Sequence, residues 1–354
     1  MHAEAFLPHL GFAALLVLLS AGVVRLMIAY PMLDDPARRL ATAHTVPTPK
    51  GGGLGIVAAF VAGMVVLYGT ARFARIAEPE FIGTILAALA IAGVALADDI
   101  RDFRFVVKLA AQAGAAMVAM ASGLVVTRLA LPWIGVVELG IWGPLLTLFW
   151  IVGCTNAVNF MDGMDGLVGG SLLVACAALC LIAAEQEAWF VYAASLFLTA
   201  GLAGYLPYNL HPARIFMGDV GSQFLGFILA VLAVACARFD TAQISFLIVP
   251  LLLFAHLFDT GFTLLRRIAM GERTSTPHRT HLYQMAARSG MPVRWVAAVH
   301  GAFVLFQAGL ALAFPGLAPW AKPLVVVPAL LVQLLWLFYV ARRVRRAGLS
   351  WKAG

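Results

Sequence analysis

Only 12% of the 354 residues are charged, against 62% hydrophobic, and the mean hydropathy is +0.94, whereas an ordinary soluble domain has about a quarter of its residues charged. That excludes a soluble globular protein and marks an integral membrane protein. Its spans are helices, because apolar runs of about 20 residues recur and alternating strands of about ten residues are absent. The net charge of +7 needs no nucleic acid to explain it, since a basic membrane face suits anionic lipid heads and anionic cytosolic substrates.

The apolar runs predict about eleven helices, over 7–30, 53–70, 81–97, 106–127, 142–158, 166–184, 189–208, 220–237, 244–265, 295–314 and 324–341. The first has no Lys or Arg ahead of it and is too long for a signal-peptide core, so it reads as a retained membrane helix. Cys154, Cys176, Cys180 and Cys236 lie in or beside apolar runs without a CxxC pair and read as packing thiols. No tandem repeat or low-complexity linker divides the chain. One all-α polytopic domain, 1–354, is expected, with its chemistry on the connections 31–52, 98–105, 156–167, 209–222 and 266–294.

The first of these connections carries HTVPTPKGGG, His44 to Gly53, in which prolines stiffen the chain and glycines permit close backbone approach. Without the GK[ST] ending of a P-loop it reads as readily as a structural loop as a phosphate cradle. Next, ADDIRDF sets Asp98 beside Asp99, two carboxylates that repel unless a cation or proton stands between them. Beside lipid, that cost argues for function rather than capping. In NAVNFMDGMDGL, Asn159 and Asp162 share a face at i, i+3 and Asp165 is displaced at i+6. Gly163 and Gly166 break the helix there, so the loop can fold round a ligand. RIFMGDVGSQFLG places Asp219 near a helix N-terminus, where N-capping is the plain alternative, and Phe216 offers an aromatic face. The last connection, STPHRTHLYQ, holds His278, Arg279 and His281. No Cys or Glu completes a zinc set, so these read as phosphate contacts. His211, His256 and His300 lack such company and read as structural.

If Met1 lies outside, 19 of the 24 Lys and Arg residues fall on inner connections or the helix ends beside them, so the N-terminus is expected outside and the C-terminus in the cytoplasm. On the inner side the acids are almost all Asp, and on the outer side almost all Glu. Turn and cap preferences of Asp account for part of this; a rigid site at helix ends accounts for the rest. Clustered Asp supplies hard oxygen ligands for Mg²⁺, and Arg, Lys and His suit phosphates, a combination that points to phosphoryl transfer at the cytoplasmic membrane surface.

PTPKGGG, ADDIRDF, NAVNFMDGMDGL and FMGDVGS, in this order on inner connections, resemble the polyprenyl-phosphate N-acetylhexosamine-1-phosphate transferases. That group contains the initiators of O-antigen and teichoic-acid assembly and the peptidoglycan translocase. The resemblance runs from about Pro31 to Gln284. It implies Mg²⁺-dependent transfer of a sugar-1-phosphate from a UDP-N-acetylhexosamine to undecaprenyl phosphate in a bacterial cytoplasmic membrane, giving a lipid diphospho-sugar and UMP. Mn²⁺ is admitted in place of Mg²⁺, and a homodimer is admitted as the assembly.

Position by position, the resemblance implies that Asp98 and Asp99 activate the lipid phosphate, with Asp99 beside the metal and Asp219 its ligand. Asn159, Asp162 and Asp165 line the nucleotide-sugar site, with Asp162 counted among the catalytic acids, and Phe216 stacks on uracil. His44, where some members have Lys, and Lys50 are substrate contacts of the first connection. His281 matches the first His of a C-terminal cluster near the diphosphate, and Arg279 joins it as a substrate contact. There the pattern departs, because Tyr283 and Gln284 stand where many members continue with histidines. This disfavours the peptidoglycan substrate and leaves GlcNAc, FucNAc and QuiNAc open. The implied chemistry is a single in-line displacement, or a two-step route through an aspartyl-phosphate. The rival readings are a secondary transporter, whose acids belong near the midplane on broken helices, and a CDP-alcohol phosphatidyltransferase, which needs an Ala-Arg that DGMDGLVGG lacks.

Overall fold

The computed structural model describes residues 3–34, 48–70, 78–131, 134–238, 244–274, 276 and 278–352. Helices dominate because in hydrocarbon the backbone N–H and C=O groups must pair within their own segment. In chain order they are α1 (Ala3–Ala29), α2 (Gly53–Thr70), α3 (Glu78–Arg101), α4 (Phe105–Ala121), α5 (Trp142–Met161), α6 (Leu167–Glu185), α7 (Trp189–Asn209), α8 (Asp219–Arg238), α9 (Ile248–Leu252), α10 (Phe254–Ala269), α11 (Leu282–Arg288), α12 (Val293–Ala313) and α13 (Val326–Arg346). Two short antiparallel ribbons accompany them. β1 (Met32–Asp34) sets Met32 opposite Lys50 of β2 (Thr48–Lys50), and β3 (Arg128–Leu131) sets Arg128 opposite Glu138 of β4 (Gly135–Glu138).

Among the described residues, nine helices are long and apolar enough to cross a membrane: α1, α2, α3, α5, α6, α7, α8, α12 and α13. The other two expected spans differ from their prediction. The one over 106–127 ends at Ala121, leaving α4 with 17 residues, at the short end of what crosses about 30 Å of hydrocarbon. The one over 244–265 is broken at Leu253 into α9 and α10. Pro250 removes an amide donor just ahead of the break. Gln307 of α12 spans it: with its amide nitrogen turned to Leu252 O and its oxygen to Ala255 N, the orientation in which both ends find a partner, each contact is 3.2 Å.

α8 is the axis of the bundle, with 94% of its span buried against α2, α3, α5 and α9. α1 and α13 bury only 17% and 22% of theirs, so lipid must cover Leu15, Leu18, Leu334 and Leu335. α10 inverts the pattern of a soluble helix. His256, Asp259, Thr263 and Arg267 are buried while Leu264, Leu265 and Ile268 are exposed, which suits a helix with lipid outside and a polar cleft within.

Candidate active site

The polar connections meet at one end of the bundle, where α3, α5 and α7 finish and α2, α4, α6 and α8 begin. The glycine run is built into this meeting by its backbone. Phe216 N donates to Pro49 O at 2.8 Å, Gly52 N to Phe216 O at 2.9 Å and Gly53 N to Met217 O at 2.9 Å. A Cβ on Gly53 would fall inside the radius of Gly221 Cα, so a side chain there would part the starts of α2 and α8. The Gly52 and Gly53 amides are therefore committed to the FMGD segment. PTPKGGG is a clamp, and it brings Lys50 Nζ to 3.9 Å from Asp99 Oδ1.

Asp98 and Asp99 are buried at the end of α3. Asp99 Oδ2 accepts from Val220 N at 3.1 Å and so caps the first turn of α8 from another helix. Gly218, at φ +78°, leaves room for it, since a Cβ would stand 2.7 Å from that oxygen. Asp98 Oδ1 accepts from Phe103 N at 2.7 Å, while its Oδ2 lies 2.5 Å from Lys108 Nζ of α4. The same ammonium is 3.1 Å from Asp219 Oδ2. Asp219 opens α8, yet its carboxylate also takes Gln223 Nε2 at 3.2 Å and Asn159 Nδ2 at 3.3 Å. Lys108, in sequence only one of the inner-face bases, is thus the cation between Asp98 and Asp219, while Lys50 is the one beside Asp99. Gln112 extends the network, donating to Gln223 Oε1 at 3.1 Å and accepting from Asn156 Nδ2 at 2.5 Å.

The NAVNFMDGMDGL residues divide. Asn159 joins the aspartates and also donates to Ser222 Oγ at 2.9 Å. Asp162 follows the end of α5. Burial pushes its carboxyl up to about 8, and the charges of Asp219 and Asp99 add to the shift, so it belongs to the same electrostatic site. Asp165 is committed to architecture, its Oδ2 accepting from Ala213 N at 3.0 Å and pairing with His211 Nδ1 at 2.8 Å. His211 is structural in this sense. Phe216 is half-buried, held by its backbone between Pro49 and Gly52. The Arg279 side chain is exposed, and its carbonyl accepts from Arg288 Nη1 at 3.0 Å. His44 lies outside the described residues.

The last connection docks beside the end of α5. Tyr283 Oη donates to Phe160 O at 3.0 Å, and the Phe160 ring lies 6.1 Å from that of buried His281. His278 stacks on His281 at 4.9 Å. Burial pushes His278 down to about 3, with His281, Arg267 and Arg266 adding to the effect. His278 is therefore held in the neutral form at neutral pH. Asp259, a single acid within an apolar run, escapes motif reading; it accepts from the backbone of this connection and meets His281.

The model of glycosyl transferase family 4 matches residues 81–237, the stretch from α3 through α8. A probable undecaprenyl-phosphate N-acetylglucosaminyl 1-phosphate transferase of Bacillus subtilis (strain 168) is 32% identical over 275 residues, 77% of this chain and 74% of the relative. The chain belongs to glycosyl transferase family 4. A decaprenyl-phosphate N-acetylglucosaminephosphotransferase of Mycobacterium leprae (strain TN) is 29% identical over 308 residues, 78% of this chain and 76% of the relative. Similarity to a phospho-N-acetylmuramoyl-pentapeptide-transferase of Lactiplantibacillus plantarum reaches 44% but spans 106 residues, 30% of this chain and 33% of the relative. Family membership, with the acids at helix ends, leaves the transporter reading without support.

Proposed function

We propose that the protein transfers N-acetylhexosamine-1-phosphate from a UDP-sugar to undecaprenyl phosphate at the cytoplasmic face of a bacterial inner membrane, releasing UMP and initiating a surface polysaccharide such as O-antigen. The observation that carries this reading is the Asp98–Lys108–Asp219 bridge, with Asp99 and Lys50 beside it. Alternating acids and bases at the start of α8 suit two phosphate substrates and a proton acceptor between them. The names of the two long-matching relatives put GlcNAc first among the sugars, ahead of FucNAc and QuiNAc. Arg343, near the end of α13, donates to Ser289 Oγ at 3.1 Å beside α11. The basic C-terminal turn therefore lies at the active-site end, which supports a cytoplasmic site.

The donor set fits magnesium. Carboxylate oxygens are hard ligands, and Asp99 reaches the start of α8, which Asp219 opens; Mg²⁺ is usually bound by one or two such carboxylates and completed by waters and substrate phosphates. Asp219 and Asp99 would hold it, Mn²⁺ serving in its place; bound there, it offsets the charge of the diphosphate. Asp98 takes the proton of the lipid phosphate, and an oxygen of that phosphate attacks the sugar-bearing β-phosphorus. The new P–O bond forms as the bond from that phosphorus to the UMP oxygen breaks. Lys108 and Lys50 offset the charge gathered on the phosphates. Asn159 and Asp162 face the donor from the end of α5, and His281 faces it from the connection docked beside that end.

Purified protein given undecaprenyl phosphate, Mg²⁺ and UDP-GlcNAc, UDP-FucNAc or UDP-QuiNAc should release UMP with at least one donor. No release with any of them overturns the reading, and near-normal turnover by Asp219→Asn sinks the metal assignment alone.

A further inference from the structure

Asp259 is buried on α10 and receives four donors. Its Oδ1 accepts from Leu282 N at 2.9 Å and from Thr263 Oγ1 at 3.3 Å, and meets His281 Nδ1 at 3.1 Å. Its Oδ2 accepts from Tyr283 N at 3.0 Å. A carboxyl group surrounded by donors acts as an acceptor-only carboxylate. The facing His281 nitrogen must then carry a hydrogen, and the partner of one ring nitrogen decides the state of the other. The imidazole is further fixed by His278 stacked on one side and Phe160 on another. Phe160 directly follows Asn159, and Tyr283 Oη ties the connection to Phe160 O, so His281 is set against the helix end that carries Asn159 and Asp162.

We propose that Asp259 is a positioning residue for the transfer reaction: it fixes the Nδ1–H form of His281 and thereby presents Nε2 toward the donor phosphates beside the end of α5. The inference rests on the function proposed above for its choice of reaction, while the Asp259–His281 pair itself stands on geometry. An acceptor that merely anchored α11 would need only the backbone donors of Leu282 and Tyr283. The ring bond is the additional feature: with Nδ1 held as the donor to Asp259, Nε2 is the nitrogen left to face the phosphates.

The titratable and charged groups around His281 are several. Asp259 comes from α10, His278 from its own segment, Arg266 and Arg267 from the last turn of α10 and Glu272 from just past it. Asp162 lies beyond Phe160, and His300 of α12 meets Tyr283 with ring centroids 6.4 Å apart. Of these, Asp259 is the acid in hydrogen-bond contact with the ring.

The test combines a spectrum with a kinetic cycle. In ¹⁵N-histidine spectra of the whole protein in lipid, with His281 assigned by His281→Gln, the wild type should show Nδ1 protonated, and Asp259→Asn should shift the ring toward the Nε2–H form. Unchanged Nδ1 protonation in that variant overturns the proposal, and this readout needs no turnover. In the UMP-release assay Asp259→Asn should lower kcat roughly 100-fold, the low end of what an acid–base group supplies, with KM little changed. The Asp259→Asn/His281→Gln double variant should be no slower than His281→Gln alone; losses that multiply would show an anchor and overturn the proposal. If Asp259→Asn does not fold, Asp259→Glu keeps the charge and should keep Nδ1 protonated, and a switch to Nε2–H there counts against the pair. A wild type inactive with every UDP-sugar refutes the proposed reaction, while the spectrum still decides the pair.

Discussion

Lys108 shows what a single residue contributes that its sequence surroundings conceal. Asp98, Asp99 and Asp219 are legible because a carboxylate in an apolar chain costs free energy that must be offset. A lysine at the end of a membrane helix reads instead as an ordinary snorkelling base, and only the fold sets its Nζ between Asp98 and Asp219. Asp165 is less legible for a related reason: once glycine ends the helix, spacing no longer says which way a carboxylate turns, and here its Oδ2 turns to His211 and Ala213. Replacing Lys108 by Met leaves two carboxylates facing each other with one partner gone. The loss in stability should be about 3 kcal/mol or less, the low end for a broken buried pair, because its side chain is 24% exposed and a carboxyl can take up a proton. UMP release should fall at least ~100-fold, measured beside thermal unfolding in detergent. Asp162 gives a pH signature. Its carboxyl is raised from 3.8 to about 8, so between those values the folded protein holds a proton that the unfolded chain has released. The stability it contributes is complete below pH 3.8 and is lost as the pH rises through about 8. Melting temperature should decline across that window in the wild type and flatten in Asp162→Asn; an equal slope in both removes Asp162 as the cause.

Elements were legible where the apolar period is long and uninterrupted, as over α5, α6, α7 and α8. They were not where the partner decides. The break at Leu253 depends on Gln307, more than fifty positions away, to take up the interrupted backbone groups, and no local pattern announces it. The glycine run was likewise ambiguous between cradle and clamp, since the residue type permits both and only the neighbouring backbone distinguishes them. The clamp makes a direct prediction. Gly53→Ala must push α2 away from α8 at Gly221, and overpacking of this kind costs about 1–3 kcal/mol. Because α8 begins with Asp219, the same displacement should cut UMP release more than the melting temperature alone explains. Gly93→Ala, whose added methyl meets nothing within 4 Å, is the control and should leave both unchanged. Equal behaviour of the two variants would show that the α2–α8 contact does not position the site.

For the whole molecule, the sequence carries sidedness through its charges and the structure carries it through geometry. The carboxylates, Lys108, the α10–α11 connection and the basic end of α13 lie at one end of the bundle. The β3–β4 ribbon follows α4, a helix that starts at the active-site end with Arg104 and Lys108 beside it, and so lies at the opposite end with Ile134 and Val136 exposed. A phosphoryl transfer that uses a soluble nucleotide-sugar and a lipid phosphate needs this asymmetry, because both substrates must reach the same helix ends, one from water and one laterally from the bilayer. The four native cysteines are buried, so introduced thiols can report sidedness over a low background. Ile134→Cys should react with a membrane-impermeant maleimide added from outside, and Ser350→Cys, exposed just past α13, should react only after the membrane that holds the protein is opened. The reverse pattern would put the aspartates on the outer surface, away from cytosolic UDP-sugars, and with it the proposed donor would have to be abandoned.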